Sequence, residues 1–177
     1  MALCSKPRVP ESAILCSSLP CTMREALTLA SIVEKETGVA AERRTVAGVY
    51  TNRLAVGMRL QADPTIIYPI TKGKPLGRRI RQSEIQAVND YNTYAMVGLP
   101  QGPITNPGRA SIEATLKPAK TKALYFVSRG DGSHVFSSSL AEHNRDRVPQ
   151  PEQLRAGVEL QTPPAEALVE QYARFIP

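Results

Sequence analysis

The sequence MREALTLASIVEKETG, residues 23–38, predicts an amphipathic helix on which the rest of the fold is built. Thr22 with Glu25 three residues later is a capping-box pattern that begins a helix. Gly38 is typical of a left-handed residue that ends one. With about 100° between successive residues, an apolar stripe forms along one face of this helix; its members are Ala26, Leu29, Ala30, Ile32 and Val33. Glu36 falls in the same row as Leu29 and Val33, so we expect it to point inward.

Glu36 is the residue of this helix that indicates chemistry. Apolar neighbours remove solvation from the charged form of a carboxyl, which raises its pKa and keeps it protonated near neutral pH. The negative end of the helix dipole acts in the same direction in the last turn. Two interpretations follow. Glu36 is a general acid, or it is a structural residue at a frayed helix end, paired with Arg43 or Arg44.

Length and composition indicate one globular domain. A chain of 177 residues buries a core without disulfides or metal. Its 42% apolar and 21% charged residues are ordinary for a globular protein. The net charge of +6 favours an anionic partner. However, the basic side chains are dispersed outside residues 72–81 and no nucleic-acid-binding module is recognisable, so we expect no nucleic-acid partner.

The region before the first helix, residues 1–21, is predicted to be irregular. Its cysteines, Cys4, Cys16 and Cys21, support neither a disulfide framework nor a zinc site, and we expect no metal and no cofactor. Signal-peptide features are absent, and no apolar run approaches the roughly 20 residues that span a bilayer. The sequence therefore predicts no membrane segment in this chain.

A second helix is predicted from Ala40 to Ala55, with Gly57 as its stop. The side chains expected on its buried face are Val46, Val49, Tyr50 and Leu54. Residues 58–106 are rich in Pro, Gly, Asn and Tyr, and they predict long ordered loops with one short helical segment near Ser83–Val88. A compact domain that keeps so much irregular chain usually uses it to bind a ligand.

The remaining chain predicts a helix, a hairpin and another helix. The helices are expected at Pro107–Leu116 and Leu140–Asp146, and the strands at residues 124–127 and 135–137. Residues 148–177 read as a Pro-containing tail with a short amphipathic helix at Pro164–Phe175. We therefore predict an α+β domain over residues 22–147, with a helical core, a small β-hairpin sheet and long ordered loops.

Several motifs in the sequence resemble those of a known family. They are LASIVEKET, NRL-x-x-GM-x-LQ-x-DPT-x-IY, YNTY, GLP, GPI-x-NPG, LYFV, and HVF followed by EHN. In this order they resemble the catalytic domain of the endolytic murein transglycosylases, the YceG-like family, over residues 23–144. The resemblance implies a helical core like that of lysozyme and the lytic transglycosylases.

The resemblance implies cleavage of the β-1,4 bond between N-acetylmuramic acid and N-acetylglucosamine without water, leaving 1,6-anhydro ends, to terminate or trim nascent glycan strands in cell wall biogenesis. One glutamate before a Thr acts first as acid and then as base in that family, and Glu36 is the matching residue. A hydrolase normally needs two carboxyls about 5 to 9.5 Å apart. Glu34 lies roughly 160° from Glu36 around the helix axis, so we hypothesise that Glu34 is structural.

Three residues of the DPT region are candidate substrate-binding residues by resemblance. Gln61, Asp63 and Thr65 are expected to line the cleft and to bind acetamido or hydroxyl groups. A competing interpretation applies to Asp63, which precedes a proline. Its carboxylate is then a turn former that accepts backbone N–H groups.

The YNTY word supplies the other candidates for substrate binding. Tyr91, Asn92 and Tyr94 offer flat apolar faces and amide hydrogen bonds, which are the usual means of holding a sugar ring. We place Asn92 nearest the acetamido group; core packing is the alternative for the tyrosines. His134 and His143 are assigned no catalytic role, although we expect His134, beside the hairpin, to lie near the cleft.

Some features depart from the family pattern. Members usually carry an N-terminal membrane helix and a small LysM-like module, so we expect this chain to be a fragment or a truncated form that lacks the anchor. Gln101 stands where a second proline is common. By resemblance the partners are glycan strands and peptidoglycan synthases, at the periplasmic or extracytoplasmic face of the inner membrane. A lysozyme-type muramidase and a non-catalytic peptidoglycan-binding module remain alternative functions.

Overall fold

Six helices and one hairpin make up residues 22–146, the part of the chain that the computed structural model describes. In chain order they are α1 (Met23–Glu36), α2 (Arg43–Ala55), α3 (Asp63–Thr71), α4 (Gln82–Gln86), α5 (Arg109–Leu116), β1 (Tyr125–Ser128), β2 (His134–Ser137) and α6 (Leu140–Asp146). The α+β class is confirmed. The predicted N-terminal segment with its three cysteines and the predicted tail helix lie outside the described residues.

The capping box that begins α1 is confirmed. The Thr22 N–H donates to Glu25 Oε2 at 3.0 Å, and the Glu25 N–H donates to Thr22 Oγ1 at 3.2 Å. The predicted left-handed stop at Gly38 is wrong. Thr37 ends the helix in an extended conformation, with φ −139°, and its hydroxyl accepts the Val39 N–H at 3.0 Å. Because an extended residue already turns the chain away, no left-handed glycine is required here.

The core lies where α1, α2 and α5 pack against one another. Its buried members are Leu29, Ile32, Val33, Val46, Ala47, Tyr50, Leu60, Ala62, Ile104 and Ala114. The apolar stripe predicted for α1 is thus its buried face, and three of the four residues predicted for α2 are also buried. Leu54 is only partly buried against this core.

The helix α3 was not predicted, and the expectation of irregular chain is wrong for residues 63–71. Pro64 occupies the first turn, where a missing N–H removes no helical hydrogen bond. Lys72 ends the helix in a left-handed conformation with φ 54°. Among residues 73–106 the structure has no further helix or strand except α4, so the prediction of long ordered loops is confirmed there.

The hairpin, with α6 packed against it, is the β part of the domain. Phe126 pairs with Phe136 and Ser128 with His134 in an antiparallel register, and α6 packs against both strands. The observed strands differ from the predicted ones by one residue at their ends. Within residues 22–146, no helix is both long and apolar enough to cross a bilayer.

The approach to the hairpin is tied directly to α2. The Ala119 N–H donates to the Arg44 carbonyl at 2.9 Å, and the Asn52 amide donates to the Thr121 carbonyl at 2.8 Å. Gly48 faces this segment so closely that a Cβ added there would lie 2.6 Å from the Ala119 carbonyl oxygen. The hairpin can therefore reach its position only because residue 48 has no side chain.

We expect Gly48→Ala to lower the free energy of unfolding by about 1–3 kcal/mol, because backbone atoms must move to admit the methyl group. Gly38→Ala is the matched control, since nothing lies within 4 Å of its Cβ position. That variant should be neutral or slightly stabilising. Urea denaturation of both proteins is the measurement. Equal stabilities for the two variants would contradict the close packing at Gly48.

Candidate active site

Glu36 lies in an open pocket between the helical core and the hairpin. The pocket has a volume of about 420 Å³. Its lining residues are Glu36, Tyr50, Arg53, Leu60, Gln61, Asp63, Tyr94, Phe126, Val127, Ser128 and His134. The end of α1, one face of α2, the start of α3 and the hairpin therefore converge on one carboxyl group.

The carboxyl of Glu36 has an unusual environment. Its Oε1 is buried and makes no hydrogen bond within residues 22–146, and no ion pair joins Glu36 to Arg43 or Arg44 in that part of the chain. Burial raises the pKa of Glu36 to about 7, and the nearby Asp63 acts in the same direction. A hydrogen-bonding contact with the Tyr50 hydroxyl opposes this shift. The group therefore carries a proton at neutral pH in a substantial fraction of molecules.

Arg53 places a fixed positive charge beside this acid. Its Nε donates to the Leu124 carbonyl and its Nη1 to the Leu60 carbonyl, both at 2.6 Å. The guanidinium carbon lies 5.4 Å from the centre of the Tyr125 ring. These partners are neutral. Among residues 22–146, no carboxylate forms a salt bridge with Arg53. The charge thus remains available to stabilise a carboxylate at Glu36.

Asp63 and Tyr94 form the opposite side of the pocket. Asp63 is the first residue of α3, and its Oδ1 accepts the Tyr94 hydroxyl at 2.6 Å. Gln61 precedes them in a left-handed conformation, with φ 52°. Burial, with a further contribution from Asp63, raises the pKa of Tyr94, so this phenol keeps its proton. Asp63 is thus a second carboxyl in the pocket of Glu36 and contributes to the raised pKa of that residue.

Glu34, the other acidic candidate on α1, lies outside this pocket. Its Oε2 accepts the Ser111 hydroxyl at 2.5 Å and the Gly108 N–H at 3.0 Å. The Ser111 hydrogen bond is the main cause that lowers the pKa of Glu34. The carboxylate thus joins α1 to the start of α5, which is the structural role hypothesised for it.

Thr65 lies in the interior and does not line the pocket. It is fully buried; its hydroxyl donates to the Ala62 carbonyl at 2.6 Å and lies 2.8 Å from the Thr93 hydroxyl. The Thr93 hydroxyl in turn accepts the Ala62 N–H at 3.0 Å. These bonds join the start of α3 to the loop that carries Tyr94.

Asn92 and Tyr91 are likewise absent from the lining of this pocket. The Asn92 side chain is fully buried. Its amide nitrogen donates to carbonyls that end α4, namely those of Glu84 at 3.3 Å, Ile85 at 3.0 Å and Ala87 at 2.6 Å. The Tyr91 ring packs on Tyr68, with 4.9 Å between the ring centres. Of the substrate-binding residues predicted from the sequence, the structure thus brings Gln61, Asp63 and Tyr94 together with Glu36.

Comparison with known proteins decides the family. The YceG-like family matches residues 6–148. This chain belongs to that family. Over 124 residues it is 41% identical to the endolytic murein transglycosylase of Bacillus subtilis, covering 70% of the chain and 34% of that protein. It is also 37% identical over 131 residues to the endolytic murein transglycosylase of Streptococcus pneumoniae, covering 71% of the chain and 23% of that protein.

A crystal structure of a putative YceG-like protein from Listeria monocytogenes also resembles the chain. The TM-score is 0.62 at 41% identity, over 69% of this chain and 38% of the other. The YceG-like chain therefore spans about a third or less of the length of the two named relatives and just over a third of the crystallised protein.

The sequence of this YceG-like chain led us to expect His134 near the cleft, but the other residues of the hairpin wall were not assigned. Phe126, Val127 and Ser128 of β1 and His134 of β2 line the pocket. The LYFV and HVF motifs could have indicated this wall, but the same patterns are typical of ordinary strands. In residues 22–146, no group of three or more His, Cys, Asp or Glu lies close enough together to hold a metal ion.

We expect Glu36→Gln to stabilise the protein at pH 8 by roughly 1–3 kcal/mol. The unfolded chain loses the Glu36 proton near pH 4.5, whereas the folded chain keeps it until about pH 7. Stability is therefore lost as the pH rises through this window, and a neutral amide avoids the loss. The gain should disappear at pH 4, where both states are protonated.

Urea denaturation at pH 4 and pH 8 measures this effect. The matched control is Glu34→Gln, which should destabilise the protein at pH 8 because the Ser111 and Gly108 hydrogen bonds favour the carboxylate. A Glu36→Gln protein that is less stable than the wild type at pH 8 would show that the Glu36 carboxyl is not held in an unfavourable site.

We expect Asn92→Ala to lower the free energy of unfolding by about 2–4 kcal/mol, because three carbonyls lose the shared donor that the buried Asn92 side chain provides. Well below its melting temperature, the folded variant should keep the KM of the wild type for glycan. Thermal denaturation and steady-state kinetics are the measurements. A large rise in KM with unchanged stability would instead favour contact between Asn92 and the acetamido group.

Proposed function

We propose that this chain is the catalytic part of an endolytic peptidoglycan lytic transglycosylase. The substrate is the glycan strand, and the bond cleaved is the β-1,4 bond between N-acetylmuramic acid and N-acetylglucosamine. The observation that carries the proposal is one buried carboxyl, Glu36, with its pKa raised to about 7 in an open pocket. The two relatives are named endolytic murein transglycosylases, which supports it, although the chain covers 34% and 23% of their lengths.

In the first step Glu36 acts as a general acid. The protonated carboxyl gives its proton to the glycosidic oxygen, and the bond from that oxygen to C1 of the muramic residue breaks. The acetamido oxygen of the substrate stabilises the positive charge that develops at C1. Glu36 is left as a carboxylate, and the nearby Arg53 guanidinium favours this charged form.

In the second step Glu36 acts as a base. Its carboxylate takes the proton from the C6 hydroxyl of the muramic residue while that oxygen bonds to C1, which closes the 1,6-anhydro ring. No water is consumed, and Glu36 ends the cycle protonated, as it began. A pKa near the working pH suits a group that both gives and takes a proton.

For substrate binding we retain Gln61, Asp63 and Tyr94, since all three line the pocket with Glu36. Their amide, carboxylate and phenol groups match sugar hydroxyls and acetamido groups. For Thr65, Tyr91 and Asn92 we propose a supporting role, because their polar groups or rings are engaged inside the protein. These three residues would hold the loop and helix that carry the binding groups.

Three finer points extend the proposal through the family resemblance. The arrangement of a helix-borne acid beside a small sheet is expected to be lysozyme-like. The enzyme is expected to work on nascent strands at the extracytoplasmic face of the membrane, with peptidoglycan synthases as partners. The excess of basic residues, +6 overall, is compatible with an acidic polymer such as peptidoglycan.

Product analysis tests the proposal. Purified peptidoglycan digested with the wild-type chain should yield 1,6-anhydromuramic ends by mass spectrometry. Glu36→Gln should lower the rate by a factor of about 10³ or more, because an amide can neither give nor take the proton. Glu34→Gln, compared under conditions where it is folded, should keep most of the activity.

The other outcomes identify the competing functions. Products heavier by one water would indicate a muramidase, and loss of those products in Asp63→Asn would then identify the second carboxyl. Binding of glycan without any cleavage would indicate a peptidoglycan-binding module. An active Glu36→Gln protein would remove Glu36 from the mechanism.

A further inference from the structure

His134 and Glu42 form a pair beside the pocket, 92 positions apart in the sequence. One oxygen of Glu42 accepts the backbone N–H of His134 at 3.0 Å, and the other lies 2.8 Å from the ring Nδ1. The side chains are only 11% and 17% exposed. The carboxylate therefore fixes both the strand end and the orientation of the imidazole ring.

This arrangement decides which ring nitrogen carries the proton in the neutral imidazole. Burial alone would raise the pKa of Glu42, but the hydrogen bonds from the His134 backbone and ring lower it. A carboxylate is a pure acceptor, so Nδ1 must be the donor. The opposite nitrogen, Nε2, is then left with a lone pair and acts as an acceptor.

Aromatic packing holds the ring in the pocket wall. The Phe126 ring meets the His134 ring edge-on, with 5.4 Å between their centres, and Phe136 lies 6.3 Å away. His134 lines the same pocket as Glu36. No hydrogen bond in the described part of the chain uses Nε2, although the ring itself is firmly held.

We propose that His134 is a substrate-binding residue whose Nε2 accepts a hydrogen bond from a sugar hydroxyl, and that Glu42 is the positioning residue that sets its tautomer. The inference rests on the glycan-cleaving function proposed above and adds a residue to it. On the opposite side of the pocket, Asp63 Oδ1 is already engaged by the Tyr94 hydroxyl. A sugar ring presents several hydroxyl donors, so an oriented acceptor on the hairpin wall complements it.

Two substitutions at His134 separate its inner and outer contacts. His134→Asn keeps an amide near the Nδ1 position, facing Glu42, but removes the group at the Nε2 position. His134→Gln places its amide near the Nε2 position. We expect His134→Asn to retain its melting temperature and to raise KM roughly three- to tenfold with little change in kcat, as for one lost hydrogen bond. His134→Gln should recover part of the loss in KM.

Nitrogen NMR tests the tautomer directly, since the chain contains just two histidines. Labelled imidazole rings in a Glu36→Gln background, which prevents turnover, should show His134 protonated at Nδ1. Addition of a peptide-free oligosaccharide of alternating N-acetylglucosamine and N-acetylmuramic acid should shift the Nε2 resonance of His134. His143→Gln assigns the signals and serves as the control.

Glu42→Gln provides the second arm of the test. A glutamine offers one acceptor and one donor where Glu42 offers two acceptors, so its amide would donate to Nδ1 and move the His134 proton to Nε2. We expect this tautomer change, together with a rise in KM similar to that of His134→Asn. Unchanged KM in both variants would overturn the proposal.

The failure of this inference is distinct from the failure of the proposed function. If the oligosaccharide binds and shifts other pocket signals while His134 Nε2 stays unchanged, the substrate role of His134 is wrong and the enzyme remains. If the wild-type chain neither cleaves nor binds glycan, the proposed function itself is wrong. If His134 carries its proton on Nε2 while Glu42 is intact, the role given to Glu42 is wrong.

Discussion

Burial of the Glu36 carboxyl is the constraint on which the site depends. Taking a carboxyl out of water disfavours its charged form, and this desolvation is the main cause of the raised pKa. The burial exists only because α1 packs against α2, which brings Tyr50 and Arg53 to the same point. If this packing loosened, water would solvate the carboxylate, and the pKa would fall toward its ordinary value. The acid is thus a product of helix packing as much as of its own residue type.

A second set of contacts gives the pocket its opposite side. The hydroxyls of Thr65 and Thr93 join two segments that are 28 residues apart, and the same bonds fix the start of α3 and the loop beside it. Asp63 and Tyr94 project from these two segments and meet at 2.6 Å. Residues of the same sequence motif therefore have different positions in the structure. Some face the pocket, and their immediate neighbours hold the chain that carries them.

Much of the helical framework was predictable because its signals are local. The capping box and the 3.6-residue period located α1, and periodicity located most of α2. The helix α3 was missed because the richness of residues 58–106 in Pro, Gly, Asn and Tyr indicated loop, although a proline in the first turn, such as Pro64, costs no hydrogen bond. The prediction of a left-handed helix end at Gly38 was wrong. A glycine permits a left-handed cap, but Thr37 already ends the helix.

The sequence by itself determined that Glu36 points inward and that Glu34 points away, because both follow from the angle between neighbouring helical residues. The motifs shared with the family indicated the bond to be tested, the β-1,4 bond between N-acetylmuramic acid and N-acetylglucosamine. Tertiary structure alone decided that Asp63 lines the pocket with Glu36, that Asn92 and Thr65 are buried and hydrogen-bonded in the interior, and that Glu42 contacts the His134 ring. Periodicity describes residues within one element. Hydrogen bonds between segments 28 or 92 positions apart exist only once the core has packed.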